Sequence, residues 1–180
     1  VCIVRNKEDL ANVKDIPCIA EKLIPFINEL AVIVCRNPKG EVVSYPVVEM
    51  EFHPEANQVE YVICPARIEN NIAEKAKKVA EKVSNSFEHV GLLAVELFQT
   101  KEGEVLVNEV APRPHNSGHF SIEGSLTNQF EQHIRAILNL PLGNTKSKID
   151  AIMVNLVGEE GYTGDAYYKN LEQILSLEGV

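Results

Sequence analysis

The chain has 180 residues, which suffices for one ordinary domain or for one large lobe and part of another. Its net charge of −9 argues against a general nucleic-acid-binding protein and against a polybasic membrane-surface protein. No apolar run approaches the roughly 20 residues that span a bilayer, and no secretory signal is present. A nucleotide site remains compatible with this charge, because a divalent cation can lie between carboxylates and a phosphate.

β-rich runs alternate along the chain with a few amphipathic segments. Strands are predicted over residues 1–4, 17–24, 29–36, 41–52, 60–64, 91–99, 104–110 and 149–157, and helices over residues 6–10, 69–87, 127–138 and 170–177. The inner stripe of the long helix is predicted to be Ile72, Ala76, Val79, Ala80 and Val83, and that of the 127–138 helix Phe130, Ile134, Ile137 and Leu138. This order predicts an α+β fold in which an antiparallel sheet of hairpins packs against helices.

The four cysteines, Cys2, Cys18, Cys35 and Cys64, have no C-x-x-C spacing and lie in or beside strand-like runs. We expect buried free thiols in a reducing, cytoplasmic location rather than disulfides or a zinc site. The chain lacks an initiator methionine and opens inside an apolar run. We therefore interpret it as an internal fragment of a longer protein, or as a chain that was cut by processing or by design.

The hairpin around Glu102-Gly103 predicts a pair of carboxylates. If these two residues form the turn, Lys101 pairs with Glu104, and Glu96 lies opposite Glu109 with β-carbons about 5 Å apart. Two like charges in this position are destabilising unless a positive charge lies between them, and a hard cation such as Mg²⁺ would supply it. The alternative is two solvated glutamates on the open face of an antiparallel sheet.

A polar loop follows Glu109 directly and favours the metal site. Pro112 and Pro114 hold the backbone extended around Arg113, whose guanidinium suits bidentate recognition of phosphate or carboxylate. Further hydrogen-bonding groups come from His115, Asn116, Ser117 and His119, with Gly118 allowing close approach. A surface salt bridge or a structural histidine would explain any one of these residues, but not the whole cluster.

Several phosphate and catalytic motifs are absent from the sequence. It contains neither G-x-x-x-x-G-K-[ST] nor G-x-G-x-x-G, so no glycine-rich phosphate cradle is present. It also has no G-x-S-x-G elbow, no H-E-x-x-H pair and no zinc-type cysteine spacing.

The sequence closely resembles the N5-carboxyaminoimidazole ribonucleotide synthetases, ATP-grasp enzymes of purine biosynthesis also called the ATPase subunit of phosphoribosylaminoimidazole carboxylase. The resemblance is carried by the run from Asn108 to His119 and by residues 129–133 and 140–143. It continues through residues 43–49, 94–98 and 153–156, so it covers nearly the whole chain. It implies a partial ATP-grasp fold.

The resemblance also implies a reaction in which ATP, bicarbonate and aminoimidazole ribonucleotide give the N5-carbamate, ADP and phosphate. Bicarbonate attacks the γ-phosphate to form carboxyphosphate, whose carbon dioxide unit the amine then captures. The implied cofactors are ATP and Mg²⁺, with Glu96 and Glu109 as the metal ligands. The implied partners are these small molecules, a second copy of the protein in a homodimer, and a companion mutase, with neither nucleic acid nor a membrane.

Matching by motif extends the implied site. Residues Glu21, Lys22, Leu23 and Ile24 resemble the hinge whose backbone meets adenine, and Glu29 resembles the carboxylate that binds the ribose hydroxyls. His53 matches a nucleotide-contacting histidine, and Asn108 and Glu109 match the ATP-contacting Asn-Glu pair. Strand alternation places the Asn108 side chain opposite that of Glu109, which predicts a backbone or indirect contact. Arg113, as catalytic and substrate-binding residue, and His115, Asn116 and Ser117 resemble the region that faces carboxyphosphate and the ribonucleotide.

The domain division follows from the same resemblance. Residues 1–143 are expected to form the ATP-grasp domain without its amino-terminal part and glycine-rich loop, and residues 144–180 to begin a small carboxyl-terminal domain. The chain alone is therefore expected to be catalytically weak or inactive. Two alternatives remain: another ATP-grasp carboxylase or formate-using ligase, and a non-catalytic nucleotide-binding module.

Overall fold

The fold is built on a seven-stranded antiparallel sheet. We describe residues 2–53, 58–156, 158, 161, 163–165 and 167–180 of the chain from a computed structural model. The strands run in the order β6-β5-β1-β3-β4-β7, and β2 pairs with the end of β1. The strands are β1 (Phe26–Arg36), β2 (Val42–Ser44), β3 (Val48–Phe52), β4 (Val59–Cys64), β5 (Gly91–Thr100), β6 (Val105–Ala111) and β7 (Ala151–Val154). The helices are α1 (Asn70–Phe87), α2 (Ser121–Gly124), α3 (Gln129–Ile137) and α4 (Leu171–Leu175), with 3-10 turns at Glu8–Asn12 and Asn116–Gly118. The predicted α+β fold with an antiparallel sheet is confirmed.

Each face of the sheet carries its own core, because side chains alternate along the strands. On the face that we call the α1 face, Ile72, Ala76 and Ala80 of α1 pack against the strands, as predicted. The strand residues on that face are Leu30, Val32, Val34, Leu93, Val95 and Leu97. On the other face, which we call the α3 face, Phe120 and Ala136 pack against the strands. The strand residues there include Ala31, Ile33, Cys35, Leu92 and Ala94.

The predicted inner stripe of α3 is wrong. Its four apolar residues point outward and are between 43 and 61 % exposed: Phe130, Ile134, Ile137 and Leu138. The buried residues of α3 are instead Gln129, Gln132 and Ala136. The two glutamines are fully buried because their amides hydrogen-bond to backbone groups of neighbouring loops, so hydrogen bonding rather than apolar burial orients this helix.

The amino-terminal predictions are also corrected. Residues 2–4 and 17–24 form no strand, and Val1, the first residue of the first predicted strand, lies outside the described residues. In the second run Ile19 is 89 % and Leu23 is 53 % exposed. An apolar run forms a strand only where a neighbouring strand satisfies its backbone hydrogen-bonding groups. No described strand pairs with either run. The predicted helix at residues 6–10 is a 3-10 turn over Glu8–Asn12.

The far edge of the sheet is formed by β7, which pairs with β4. The strand predicted over 149–157 is shorter, and Val157 lies outside the described residues. Because β7 follows the proposed boundary at residue 143 and yet belongs to this sheet, the separate domain over 144–180 remains a prediction. None of the described helices is long and apolar enough to cross a membrane.

All four cysteines are free, as predicted, but only two of them are buried. Cys35 and Cys64 lie in the sheet, where burial raises the pKa of the Cys35 thiol to about 12 and also raises that of Cys64. Cys2 and Cys18 are exposed because the runs that contain them are not strands.

Candidate functional site

The β5–β6 hairpin brings the two predicted carboxylates together, although its turn length and its register differ from the prediction. The turn has three residues, 101–103, closed by a bond from the Gly103 amide to the Thr100 carbonyl, and Gly103 has φ +76°. Next to this turn the strands are therefore one residue out of the predicted register, with Leu97 opposite Val107. A β-bulge then shifts the register, and Val95 lies opposite Val110 as predicted.

Glu96 lies opposite this bulge, so it faces two residues of β6, Asn108 and Glu109. The prediction that alternation turns the Asn108 side chain away from Glu109 is wrong. A β-bulge interrupts alternation, and the Asn108 side chain hydrogen-bonds to the Glu96 carboxylate. Asn108 and Glu109 thus both act on Glu96.

Among the described residues, no lysine or arginine lies within ion-pair distance of the Glu96 carboxylate. It pairs with Ala31 of β1 and therefore belongs to the α3 face, as does Glu29 two residues along β1. The Glu96 side chain is 12 % exposed. Burial, and then the like charges of Glu109 and Glu29, raise the pKa of Glu96 to about 7.

The loop after β6 presents an arginine to solvent. Arg113 is exposed, and its Nη1 donates to the Pro114 carbonyl oxygen at 3.1 Å. Within the described part of the chain, no carboxylate lies within ion-pair distance of this guanidinium. Its remaining donors are therefore available to an oxyanion.

His115 faces the carboxylates. Its Nε2 lies 3.5 Å from Oε1 of Glu96, and its side chain is 12 % exposed. Burial and the neighbouring Arg113 lower the pKa of His115, although Glu109 opposes this shift. The pKa of His115 falls while that of Glu96 rises, so burial opposes charge on both partners of this contact.

The other predicted loop residues bond within the loop. The hydroxyl of Ser117, which is fully buried, lies 2.9 Å from Nδ1 of His115. Oδ1 of Asn116 lies 2.9 Å from Nδ1 of His119, whose ring stacks on Phe130 of α3. Ser117 and Asn116 therefore support the two histidines.

The residues predicted to meet the nucleotide lie around the start of β1 and the end of β3. Glu29 is half-buried near the start of β1, and burial raises its pKa. It pairs with Met50 of β3, and His53 follows the end of that strand, its amide donating to the Gln58 carbonyl oxygen. Residues 21–24 precede β1 as irregular chain in which Glu21, Lys22 and Leu23 are exposed and Ile24 is half-buried.

Sequence reasoning missed two interactions near this end of the sheet. Gln129 hydrogen-bonds through its amide to both the N–H and the carbonyl of His115. On the α1 face, Arg67 donates from Nε and Nη2 to the carboxylate of Glu49. Neither interaction has a local sequence signal, because each joins residues at least 14 positions apart.

The arrangement fits a cation that takes only some of its ligands from the protein. Among the described residues, no group of three or more His, Cys, Asp or Glu side chains converges to hold a metal by itself. Mg²⁺ in phosphoryl-transfer sites is commonly held by one or two carboxylates, with phosphate and water as the other ligands. Glu96 and Glu109 supply that number, and their mutual repulsion is the charge problem that a cation removes.

This antiparallel sheet, in which Glu96 faces Glu109, is that of an ATP-grasp domain. The chain belongs to the ATP-grasp family, whose domain matches residues 2–130.

The similar proteins narrow the family further. The chain is 48 % identical over 143 residues to the N5-carboxyaminoimidazole ribonucleotide synthase of Bacillus subtilis, an alignment that covers 79 % of this chain and 37 % of that protein. The crystal structure of the N5-carboxyaminoimidazole ribonucleotide synthetase from Thermotoga maritima has 52 % identity and a TM-score of 0.79, over 87 % of this chain and 41 % of that one. The Aspergillus clavatus N5-carboxyaminoimidazole synthase, solved with ADP and 5-aminoimidazole ribonucleotide, has 39 % identity and a TM-score of 0.78, over 85 % of this chain and 41 % of that one. The curated relatives are longer, and the chain spans between 25 and 47 % of their length.

Proposed function

We propose that this chain carries the metal-binding and substrate-binding part of an ATP-dependent ligase, N5-carboxyaminoimidazole ribonucleotide synthetase. The reaction is the carboxylation of 5-aminoimidazole ribonucleotide by ATP and bicarbonate in purine biosynthesis. A bicarbonate oxygen attacks the γ-phosphorus, and the bond from that phosphorus to the leaving oxygen of ADP breaks. The resulting carboxyphosphate then loses phosphate, and the amine of the ribonucleotide takes up the carbon dioxide unit.

The observation that carries this proposal is the uncompensated carboxylate of Glu96, whose pKa is raised to about 7 opposite Glu109. Glu96 and Glu109 would hold Mg²⁺, and the bound ion would neutralise charge on the transferring phosphate. The amide of Asn108, which hydrogen-bonds to Glu96, orients that carboxylate. Phosphoryl transfer depends on positioning and charge neutralisation, and these three residues supply both.

The loop after β6 binds carboxyphosphate and the ribonucleotide. The exposed guanidinium of Arg113 binds the carboxyphosphate oxygens as a bidentate donor and is the catalytic residue. His115 lies between this arginine and the metal carboxylates, so it is placed to contact the ribonucleotide. Asn116 and Ser117 complete the substrate loop.

The nucleotide end of the site is formed by residues that lie around the start of β1. The backbone of Glu21, Lys22, Leu23 and Ile24 meets adenine, and Glu29 accepts hydrogen bonds from the ribose hydroxyls. Its proximity to Glu96, whose pKa it raises, supports this placement, because the ribose and phosphates of one nucleotide would then span the two carboxylates. His53 adds a contact from the end of β3.

The resemblance to the N5-carboxyaminoimidazole ribonucleotide synthetases also supports a proposal about cellular location, oligomeric state and a partner enzyme. The protein acts in the cytoplasm as a homodimer, and the outward apolar residues of α3 are the kind of surface that a dimer interface covers. A companion mutase then moves the carboxylate of the product. Sedimentation of the full-length protein and of its Ile134→Glu variant tests the interface, since a dimer in both would exclude this surface.

The reaction is tested with ¹⁸O-labelled bicarbonate and the full-length protein. We expect phosphate release that requires both bicarbonate and the ribonucleotide, with one ¹⁸O atom transferred into each phosphate. Phosphate release without the ribonucleotide, or phosphate free of label, would point to another ATP-grasp ligase. Tight ATP binding without turnover would instead point to a non-catalytic nucleotide-binding module.

A further inference from the structure

Two buried glutamines on one face of α3 make the same unusual contact with different loops. Gln129 accepts a hydrogen bond from the His115 amide at 2.9 Å and donates to the His115 carbonyl oxygen at 2.8 Å. Gln132, one turn later, accepts from the Gly143 amide at 2.7 Å and donates to the Gly143 carbonyl oxygen at 2.8 Å. Each side-chain amide thus satisfies both backbone groups of one residue, as a neighbouring strand would.

The surroundings of Gln129 leave it a single position. It is fully buried, and its backbone amide donates to the Ser121 hydroxyl, which itself donates to the Gly118 carbonyl. Gly118 lies against the side chain so closely that an added β-carbon would be 2.4 Å from Oε1 of Gln129. The glycine of the substrate loop is therefore needed for the approach of Gln129.

The contact with Gln129 holds the backbone from which the imidazole of His115 projects. With the His115 backbone held, Nδ1 of its ring accepts a hydrogen bond from the Ser117 amide at 3.3 Å. Nδ1 is then without a proton in the neutral ring, so the proton is on Nε2. Nε2 is the atom that lies 3.5 Å from the Glu96 carboxylate.

We propose that Gln129 is a positioning residue that holds His115 in its orientation and tautomer beside Glu96, and thereby shapes the subsite for the ribonucleotide. The substrate in this statement rests on the proposed function, whereas the orientation of His115 does not. Gln129 acts through the backbone of His115 and does not touch the substrate. Gln132 makes the equivalent bonds away from the site and provides a matched control.

The test compares Gln129→Leu with Gln132→Leu in the full-length protein. Both variants leave one backbone N–H and one carbonyl without their partners, so both are expected to lower the melting temperature by similar amounts. Two-bond ¹H–¹⁵N spectra of histidine, with the His115 signal assigned by its loss in His115→Gln, report the tautomer. We expect the Nε2–H form in the wild type and in Gln132→Leu, and a mixture of both tautomers in Gln129→Leu.

Kinetics provides the second readout. Misplacement of a substrate-contacting group typically costs about 10- to 100-fold, so we expect Gln129→Leu to lower kcat/KM for the ribonucleotide by that factor while KM for ATP is unchanged. Gln132→Leu should keep the wild-type kcat/KM. An equal loss in the two variants, or an unchanged His115 tautomer in Gln129→Leu, would overturn the proposal.

A milder variant covers the case in which Gln129→Leu does not fold. Gln129→Met keeps the length and the volume of the side chain but loses both hydrogen bonds to His115, so a change of the His115 tautomer in the same direction is expected. The same measurements distinguish a failure of the Gln129 proposal from a failure of the proposed function. If the His115 tautomer changes as described but the wild type does not carboxylate the ribonucleotide, Gln129 positions His115 in an enzyme with another substrate.

Discussion

Two glutamates on β3 and β5, the two strands that flank β1 in the sheet, have opposite electrostatic surroundings. Glu49 lies on the α1 face with its side chain 11 % exposed, and Glu96 lies on the α3 face with its side chain 12 % exposed. Hydrogen bonds from the Arg67 side chain lower the pKa of Glu49, although burial opposes this shift. The pKa of Glu96 is raised to about 7, because burial acts together with the charges of Glu109 and Glu29.

The difference separates a structural carboxylate from one that requires a ligand. Arg67 also contacts Glu51, so the protein itself supplies the counter-charge on the α1 face. On the α3 face the neighbours of Glu96 are acidic or neutral, and ionisation of Glu96 is unfavourable in the metal-free chain. A buried carboxylate whose pKa is raised by other carboxylates is therefore a better indication of a cation site than burial alone.

The largest expected difference between the two glutamates is in catalysis. Replacing Glu96 by glutamine in the full-length protein should reduce ribonucleotide-dependent phosphate release at least about 100-fold, because charge stabilisation by a metal is worth several kcal/mol. Glu49→Gln changes the charge of an equally buried carboxylate and should leave turnover of the folded protein near the wild-type rate. Equal losses in the two variants would remove the distinction.

For the stability of the fold, we expect the larger effect at Glu49 and its partner Arg67. Arg67→Met removes the guanidinium donors of the nearly buried Glu49 carboxylate and leaves only the backbone N–H of residue 67, so we expect a lower free energy of unfolding in urea titrations. Gln99→Met, which removes a buried amide and its one hydrogen bond from Asn28, serves as a control that involves no ion pair. A loss below that of the control would mean that Arg67 contributes no more than an ordinary surface charge.

Metal binding should depend on pH through Glu96. Below a pH of about 7 a proton occupies the carboxylate and competes with the cation. The apparent affinity for Mg²⁺, measured by calorimetry, should therefore fall by about tenfold for each pH unit below that value and level off above it. Glu49→Gln should keep this profile, whereas Glu96→Gln should bind more weakly with no such dependence. A flat profile in the wild type would contradict the raised pKa.

The smallest expected effect is on the stability of the metal-free protein. A carboxyl group whose pKa is raised on folding stabilises the folded state below its unfolded pKa, and that contribution is lost as the pH rises through about 7. Glu96→Gln cannot ionise, so it should melt a few degrees above the wild type at pH 8 and nearly with it at pH 4.5. Glu49, with its lowered pKa, contributes in the opposite sense and loses its contribution as the medium becomes acidic.

Much of the sheet could be predicted from the sequence, because strand alternation and turn residues are local signals. The predicted pairing of Glu96 with Glu109 alone is only partly right, since Glu96 faces both Asn108 and Glu109, and the turn has one residue more than predicted. The β-bulge restored the register, and a bulge of this kind has no signature in the residue types. Its second effect, the turning of Asn108 toward Glu96, was for that reason missed.

The failures concern segments whose environment is not local. The apolar run at 17–24 has the composition of a strand but no described pairing partner. Hydrophobic periodicity placed the wrong side of α3 inward, because polar side chains that satisfy distant backbone groups carry no apolar signal. The link from Gln129 to His115 depends on the whole fold and could not be read from spacing.

The outward apolar side of α3 has a consequence for how this helix can change during evolution. A helix seated by an apolar stripe tolerates conservative exchanges on its inner side, since many shapes of similar volume fill the same space. Here the inner side is constrained residue by residue, because directional bonds accept neither a shift along the axis nor a rotation. The outward apolar residues Ile134, Ile137 and Leu138 make no directional bonds, so only the shape and polarity of whatever packs on them limits their exchange. Substitution rates along α3 should therefore run opposite to the usual pattern of a conserved apolar stripe and a variable polar one.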